Sequence, residues 1–355
     1  MKPILAAMLS VSGLELTNAE KHLLEKANPM GLTLFKRNVQ SKKQVKALIR
    51  SIKEVIGRDD VLIAVDQEGG RVCRFAPPKW PRYVSQYSLG SLSGKQGDEL
   101  TRLHSALIAS DLKELGVNWN YAPVMDVLYP DTTNALGNRI FSSNEKLVAK
   151  RGKILLDVYQ ENGVCPCVKH LPGHGRAVVD PHLNLPILSQ SLKELEKDFY
   201  PFRAVGQDAP AGMTAHIVIS AVDDKPVTQS KKAIQEIIRG RIGFKGFLLS
   251  DAIDMKALKG TITERVQTTL KAGCDAVCYC SAIEDELKEV IKSAKPLTDE
   301  AMERLVQIQQ IIRKKPLKTD RAKMLQEYIK LAQQTEEAPA DYDAVEVLHK
   351  MRVQK

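Results

Sequence analysis

Leu62-Ile63-Ala64-Val65-Asp66-Gln67-Glu68-Gly69-Gly70-Arg71 is an apolar run that stops abruptly on ionisable residues and a glycine pair. Four apolar residues without alternation read as a short strand buried on both faces, the habit of parallel sheets covered by helices. Working outward, runs of this kind recur at 4–9, 31–35, 61–65, 117–121, 164–168, 212–216, 246–250 and 275–279. Amphipathic helical patterns fill the gaps at 42–56, 98–115, 145–160, 191–205, 231–241 and 262–272. Repeated strand–helix units of this number predict an α/β chain folded as a single-domain (β/α)8 TIM-type barrel. Pro166 counts against an ideal fifth strand, because proline has no N–H to give to a ladder. Ser142 and Glu145 read as a capping box, Asn162-Gly163 as the stop of the helix that follows, and Ala209-Pro210-Ala211-Gly212 as a break before the sixth strand. The barrel is expected over 1–315. Residues 316–355 are expected to form a helical C-terminal extension, interrupted at Ala338-Pro339-Ala340 and frayed at its end.

Composition removes several function classes. The 355 residues carry 52 Lys+Arg against 43 Asp+Glu, a formal net charge of +9. That charge is dispersed, no basic block stands out, and aromatics make up only 5%, so nucleic acid is not the expected partner. No run approaches the ~18 apolar residues of a membrane span. Lys2 and the short apolar run at 4–9 fall below the ~7–15-residue core of a signal peptide and read as a first buried strand. The six cysteines, Cys73, Cys165, Cys167, Cys274, Cys278 and Cys280, lack zinc-knuckle spacing; the pairs 165/167 and 278/280 lie in apolar runs, and all are read as reduced, buried thiols. With no export signal, that places the chain in the cytoplasm. Neither G-x-G-x-x-G nor a P-loop occurs and the histidines lack tight ligand spacing, so no cofactor and no metal are expected.

A barrel enzyme places its chemistry at the C-terminal ends of its strands. Four strand ends deliver ionisable residues there: Asp66, Lys169-His170, His216 and Asp251. The densest stretch is Lys169-His170-Leu171-Pro172-Gly173-His174-Gly175, which continues to Asp180-Pro181-His182. An Asp two residues from a His can orient the ring and raise its basicity, as acid/base work requires, although such a spacing alone more often marks a turn. His174 is assigned to bracing the loop, Glu68 to supporting the glycine turn, and Asp126 to bracing from behind. His216 stands open between support and direct contact. His22, His104 and His349 are assigned to the surface.

The segment from Lys169 to Gly175, with Asp180-Pro181-His182, resembles the K-H-F-P-G-H-G…D-S-H signature of bacterial β-N-acetylglucosaminidases of glycoside hydrolase family 3. Gly31-Leu32-Thr33-Leu34-Phe35-Lys36-Arg37-Asn38, the run from Val65 to Phe75, Asn120-Tyr121-Ala122-Pro123-Val124-Met125-Asp126-Val127 and Ala272-Gly273-Cys274-Asp275 are similar to further motifs of that family, in order. The resemblance implies a retaining exo-glycosidase that releases terminal β-linked N-acetylglucosamine from muropeptides in peptidoglycan recycling. It implies Asp251 as nucleophile, His182 as acid/base with Asp180 as its partner, and Asp66, Arg74, Arg139, Lys169 and His170 as sugar-binding residues. The implied partner is a small glycan, with no membrane and no nucleic acid, and the chain is expected to act as a monomer. Two rival readings stand beside it: a transferase or phosphorylase that uses the same intermediate, and a sugar-binding barrel without activity. There are departures from the family pattern, three of which bear on the chemistry. Ala252 replaces a second Asp, which favours Asp251 over Asp254; Pro181 replaces Ser, which would stiffen the loop; and Ile140 replaces Ser in R-S-F.

Overall fold

A computed structural model describes residues 2–181 and 184–337. His182, His349 and the interruption at Ala338-Pro339-Ala340 lie outside the described residues.

Nine strand segments form one parallel sheet: β1 Leu5–Ser10, β2 Pro29–Leu34, β3 Leu62–Val65, β4 Trp119–Asn120, β5 Cys165–Pro166, β6 Val168–Leu171, β7 Ala211–Thr214, β8 Phe247–Ala252 and β9 Ala276–Cys278. They pair in the order β5-β4-β3-β2-β1-β9-β8-β7-β6. β5 and β6 are successive pieces of one path, separated only by Cys167. Pro166 has no N–H, and past it the pairing moves to the segment after β4. Cys167 N donates to Ala122 O at 3.0 Å, Lys169 N to Pro123 O at 3.1 Å, and Met125 N to Lys169 O at 2.7 Å. These bonds close the sheet into a barrel with eight strand positions, the expected architecture.

Although the strands are apolar throughout, their residues alternate between two cores, as the two-residue period of a strand requires. Ala6, Met8, Leu62, Ala64, Trp119, Cys165, Cys167, Met213, Phe247, Leu249, Ala276 and Cys278 belong to the barrel interior, plugged by Ala301, Leu305 and Ile308 of the helix Asp299–Ile312. Their neighbours Ala7, Leu9, Ile63, Val65, Leu248 and Val277 pack outward against the helices.

Most helices fall where expected; Lys42–Ile56 and Ile262–Ala272 match to the residue. Four details differ. The cap of helix Glu145–Glu161 is Asn144, whose side chain accepts from Lys146 N and Leu147 N, while the Ser142 hydroxyl accepts from Asn144 N instead. The helix expected from 98 begins at Gly94. The one expected from 191 begins at Glu196, because the Ser191 hydroxyl is held by Glu194 in a preceding turn. The segment Ala233–Arg241 winds as a π-helix. Asn162 and the left-handed Gly163 end their helix as expected.

All six cysteines are free thiols, five buried and Cys280 half-buried. The helix Arg321–Ala332 packs on Gly94–Leu115. It inserts Tyr328 against His104 and Tyr83, its hydroxyl accepts from Val84 N at 2.8 Å, and Arg321 pairs with Asp111. Among the described residues no helix is long and apolar enough to cross a membrane.

Candidate active site

The strand period also aims the chemistry. Asp66, Lys169 and Asp251 have the same parity as the interior residues Ala64, Cys167 and Leu249 that precede them by two. Each is therefore the last inward-pointing residue at the C-terminal end of its strand. They meet in a cleft whose lining also includes Thr33, Phe35, Tyr121, Arg139, His170, His174, Pro181, Met213 and Cys280.

One wall is a buried ion network. The Lys169 ammonium lies 2.9 Å from Asp66 Oδ1 and 2.6 Å from Glu68 Oε1. Arg74 reaches Asp66 Oδ2 at 3.2 Å. Arg139 grips Glu68 with both arms of its fork, Nε to Oε2 at 2.9 Å and Nη2 to Oε1 at 2.8 Å. Burial by itself would raise the Asp66 and Glu68 carboxyls, yet Lys169 and Arg74 on one, and Arg139 and Lys169 on the other, hold both well below the usual carboxylate range. Burial likewise works against the Lys169 ammonium, but the Asp66 and Glu68 charges outweigh it and raise its pKa. The wall thus stays fully charged near neutrality and presents fixed donors and acceptors, suited to the hydroxyls of a sugar.

Asp126, buried behind that wall, is a brace as expected. Its Oδ2 accepts from His170 Nδ1 at 2.8 Å, and its Oδ1 accepts from the backbone N of His174 at 2.7 Å. Burial would raise its carboxyl, but the His170 ring lowers it below its ordinary value. With Nδ1 occupied, His170 keeps Nε2 for the cleft.

In the same cleft, Asp251 N donates to Thr214 Oγ1 at 3.3 Å, and Asp251 Oδ1 accepts from Ala252 N at 2.7 Å. Asp254 is committed elsewhere: its Oδ1 accepts from Cys280 N at 3.2 Å and its Oδ2 from the Ser281 hydroxyl. His216 bridges Thr228 Oγ1 at 2.8 Å and Ala252 O at 2.9 Å, so it supports the end of β8 from beneath the cleft.

Asp66, Arg74, Arg139, Lys169, His170 and Asp251 are thus gathered at one mouth. Asp180 lies on the loop that rises beside it, and its backbone O accepts from Asn184 N at 3.0 Å. Pro181, which lines the cleft, accepts from Ala257 N through its carbonyl at 3.2 Å. Glu68 is more than a turn support, because it joins Arg139 to Lys169; its pairing with a residue 71 positions away left no local signal. His104 is not a surface residue. It is fully buried, with Nε2 on Glu68 O at 3.2 Å and Tyr83 and Tyr328 against its ring; burial lowers its pKa to about 4. Helical periodicity could not reveal this, because the face bearing His104 is covered by the remote Tyr328. His174 does not brace its loop through its ring: among the described residues neither ring nitrogen has a hydrogen-bond partner.

Comparison with known proteins agrees with this geometry. The Glycosyl hydrolase family 3 N terminal domain matches residues 5–312. Among curated relatives, a β-hexosaminidase of Bordetella avium is 33% identical over 303 residues, covering 82% of this chain and 85% of the relative. One of Neisseria gonorrhoeae is 35% identical over 292 residues, covering 79% and 80%. The crystal structure of native NagZ from N. gonorrhoeae superposes with a TM-score of 0.81 at 30% identity, covering 93% of this chain and 98% of that one. A second structure of that protein, in complex with N-trifluoroacetyl-D-glucosamine, gives a TM-score of 0.82. With its barrel, its charged mouth and these relatives, the chain belongs to glycosyl hydrolase family 3 and is a glycoside hydrolase of the β-hexosaminidase group.

Proposed function

We propose that the enzyme is a retaining exo-glycosidase that removes terminal β-linked N-acetylglucosamine from muropeptides during peptidoglycan recycling in the cytoplasm, acting as a monomer. The observation that carries the reading is that Asp251 shares one cleft with Asp66, Lys169 and Arg139 of the buried ion network. The relative solved with N-trifluoroacetyl-D-glucosamine supports the sugar assigned to it.

In this reading the wall and His170 bind the sugar hydroxyls and set the anomeric carbon before Asp251. The carboxylate attacks, the bond to the leaving oxygen breaks, and His182 gives that oxygen its proton. A glycosyl ester on Asp251 results. His182, now neutral, takes a proton from water; the hydroxide oxygen bonds to the anomeric carbon and Asp251 leaves as carboxylate. Two inversions give net retention. Asp180 holds the His182 ring and stabilises its cationic form, as the third member of a triad does. A histidine in this role avoids the repulsion that a second carboxylate would bring to Asp251. The barrel is read as 1–315 with 316–355 as an appended tail.

Time-resolved NMR of a muropeptide digest tests the proposal, with and without phosphate. β-N-acetylglucosamine should appear first and then mutarotate. Initial release of the α-anomer would overturn retention. Accumulation of sugar 1-phosphate would establish a phosphorylase, and the absence of any release from the muropeptide would overturn the substrate.

A further inference from the structure

The loop after β6 holds His174 without using its ring. His174 N donates to Asp126 Oδ1 at 2.7 Å, and its carbonyl accepts from Ala177 N at 3.0 Å. On either side the glycines are pressed against neighbours. A Cβ on Gly173 would meet Asp198 Cβ at 2.9 Å, and one on Gly175 would meet Val127 O at 1.8 Å. Backbone contacts and packing therefore fix the residue.

The residue is 3% exposed and lines the cleft that holds Asp251, and its ring lies against the His170 ring with 5.7 Å between centroids. Neither Nδ1 nor Nε2 has a hydrogen-bond partner among the described residues. A buried polar group without a partner is costly, and such groups call for an explanation at the site where they occur. The explanation cannot be loop bracing, which needs no imidazole here. Burial, followed by the facing His170 ring, lowers the His174 pKa to about 4. Near neutrality the ring therefore carries one N–H donor and one lone-pair acceptor. A hydroxyl is matched to that pair, since it can both donate and accept.

We propose that His174 is a substrate-contacting residue of this site, which hydrogen-bonds a hydroxyl of the bound sugar. The inference rests on the N-acetylglucosaminidase reading above and names one of its contacts. It also separates two roles in the motif: His170 is tied to Asp126 and orientation comes built in, whereas His174, without a ring partner among the described residues, completes its hydrogen bonds with the sugar.

The test compares wild type, His174→Leu and His174→Gln on a chromogenic N-acetylglucosaminide and on its 3-, 4- and 6-deoxy analogues. Leucine fills the same space without polar atoms, so His174→Leu should melt at or above the wild-type temperature while kcat/KM falls about 10-fold or more. Wild type should discriminate against one deoxy analogue, and His174→Leu should lose discrimination at that same hydroxyl while keeping it at the others. Glutamine, which carries both a donor and an acceptor, should restore part of the activity and of the discrimination. Unchanged discrimination in His174→Leu, or activity lost only in step with melting temperature in both variants, would overturn the proposal. A wild-type enzyme that turns over no N-acetylglucosaminide would instead overturn the functional reading beneath it, and a sound wild type with an indifferent His174 would overturn this inference alone.

Discussion

The barrel carries a carboxylate between two cations at each end, and the two clusters are put to different uses. At the mouth, Asp66 is held by Lys169 and Arg74, and Glu68 by Arg139 and Lys169. At the base, Asp275 is held by Arg239 at 3.2 Å and Arg304 at 2.6 Å. The base cluster is spent on the backbone: Asp275 Oδ2 accepts from Leu248 N at 2.7 Å, and Arg239 donates to the carbonyls of Phe244 and Gly246 at 3.0 and 2.8 Å. The mouth cluster mostly spends its charges on side chains, and three of its members, Asp66, Arg139 and Lys169, line the cleft. Burial raises the Asp275 carboxyl despite its partners, whereas at the mouth the cations prevail and the carboxyls are lowered. The contrast teaches that similar ion pairs serve cohesion at one end of a barrel and binding at the other, according to what the backbone requires of them.

The comparison can be broken by substitution. Asp251→Asn removes the proposed nucleophile without touching either cluster, and should reduce kcat by roughly 10⁴-fold or more with little change in melting temperature. Near-normal turnover would remove Asp251 from the chemistry. Lys169→Met leaves Asp66 and Glu68 facing each other without their shared cation. It should lower kcat/KM by about 10²-fold and stability by about 3 kcal/mol, read from steady-state kinetics and urea unfolding. Asp275→Asn at the base should cost a similar ~3 kcal/mol of stability while kcat/KM changes less than about threefold. A large loss of activity there, at temperatures where the variant is folded, would dissolve the distinction between the ends.

Acid sharpens it further. Asp66 and Glu68 have lowered pKa values in the folded protein, so their contribution is complete above the ordinary carboxylate range near about pH 4. It is lost as pH falls through the lowered values, where folding must give up ionised, paired groups. Glu68→Gln should therefore flatten the fall in melting temperature below about pH 4; a slope as steep as wild type would count against a charged mouth. The smallest effect belongs to the tail. Tyr328→Phe strips the Val84 amide of its acceptor and should cost about 1–2 kcal/mol, measured by denaturant titration, with activity nearly intact. Since Tyr328 packs on His104, and His104 contacts Glu68 O, a marked rise in KM would show that this helix also holds the mouth in shape.

Much of the site was legible because the strand period carries on past the apolar run. Once Ala64, Cys167 and Leu249 face the interior, Asp66, Lys169 and Asp251 must face it too, two residues on. The partners from loops obey no such rule. Arg139 meets Glu68 across 71 residues, and Arg74 reaches Asp66 only because the hairpin of Gln67–Gly69 with Val72–Cys73 folds back. His104 looked like a surface residue until Tyr328, more than 200 positions later, covered it.

The sequence by itself determined the barrel, the end at which the chemistry gathers and which strand-borne side chains reach it. These follow from periodicity and from the burial of parallel strands, both local. Only the tertiary structure decided how the charges pair, that Asp254, although it too lines the cleft, is committed to Cys280 and Ser281, and that the His174 ring has no hydrogen-bond partner among the described residues. Those outcomes depend on distances between segments far apart in the chain, which closure of the sheet sets and no local pattern encodes.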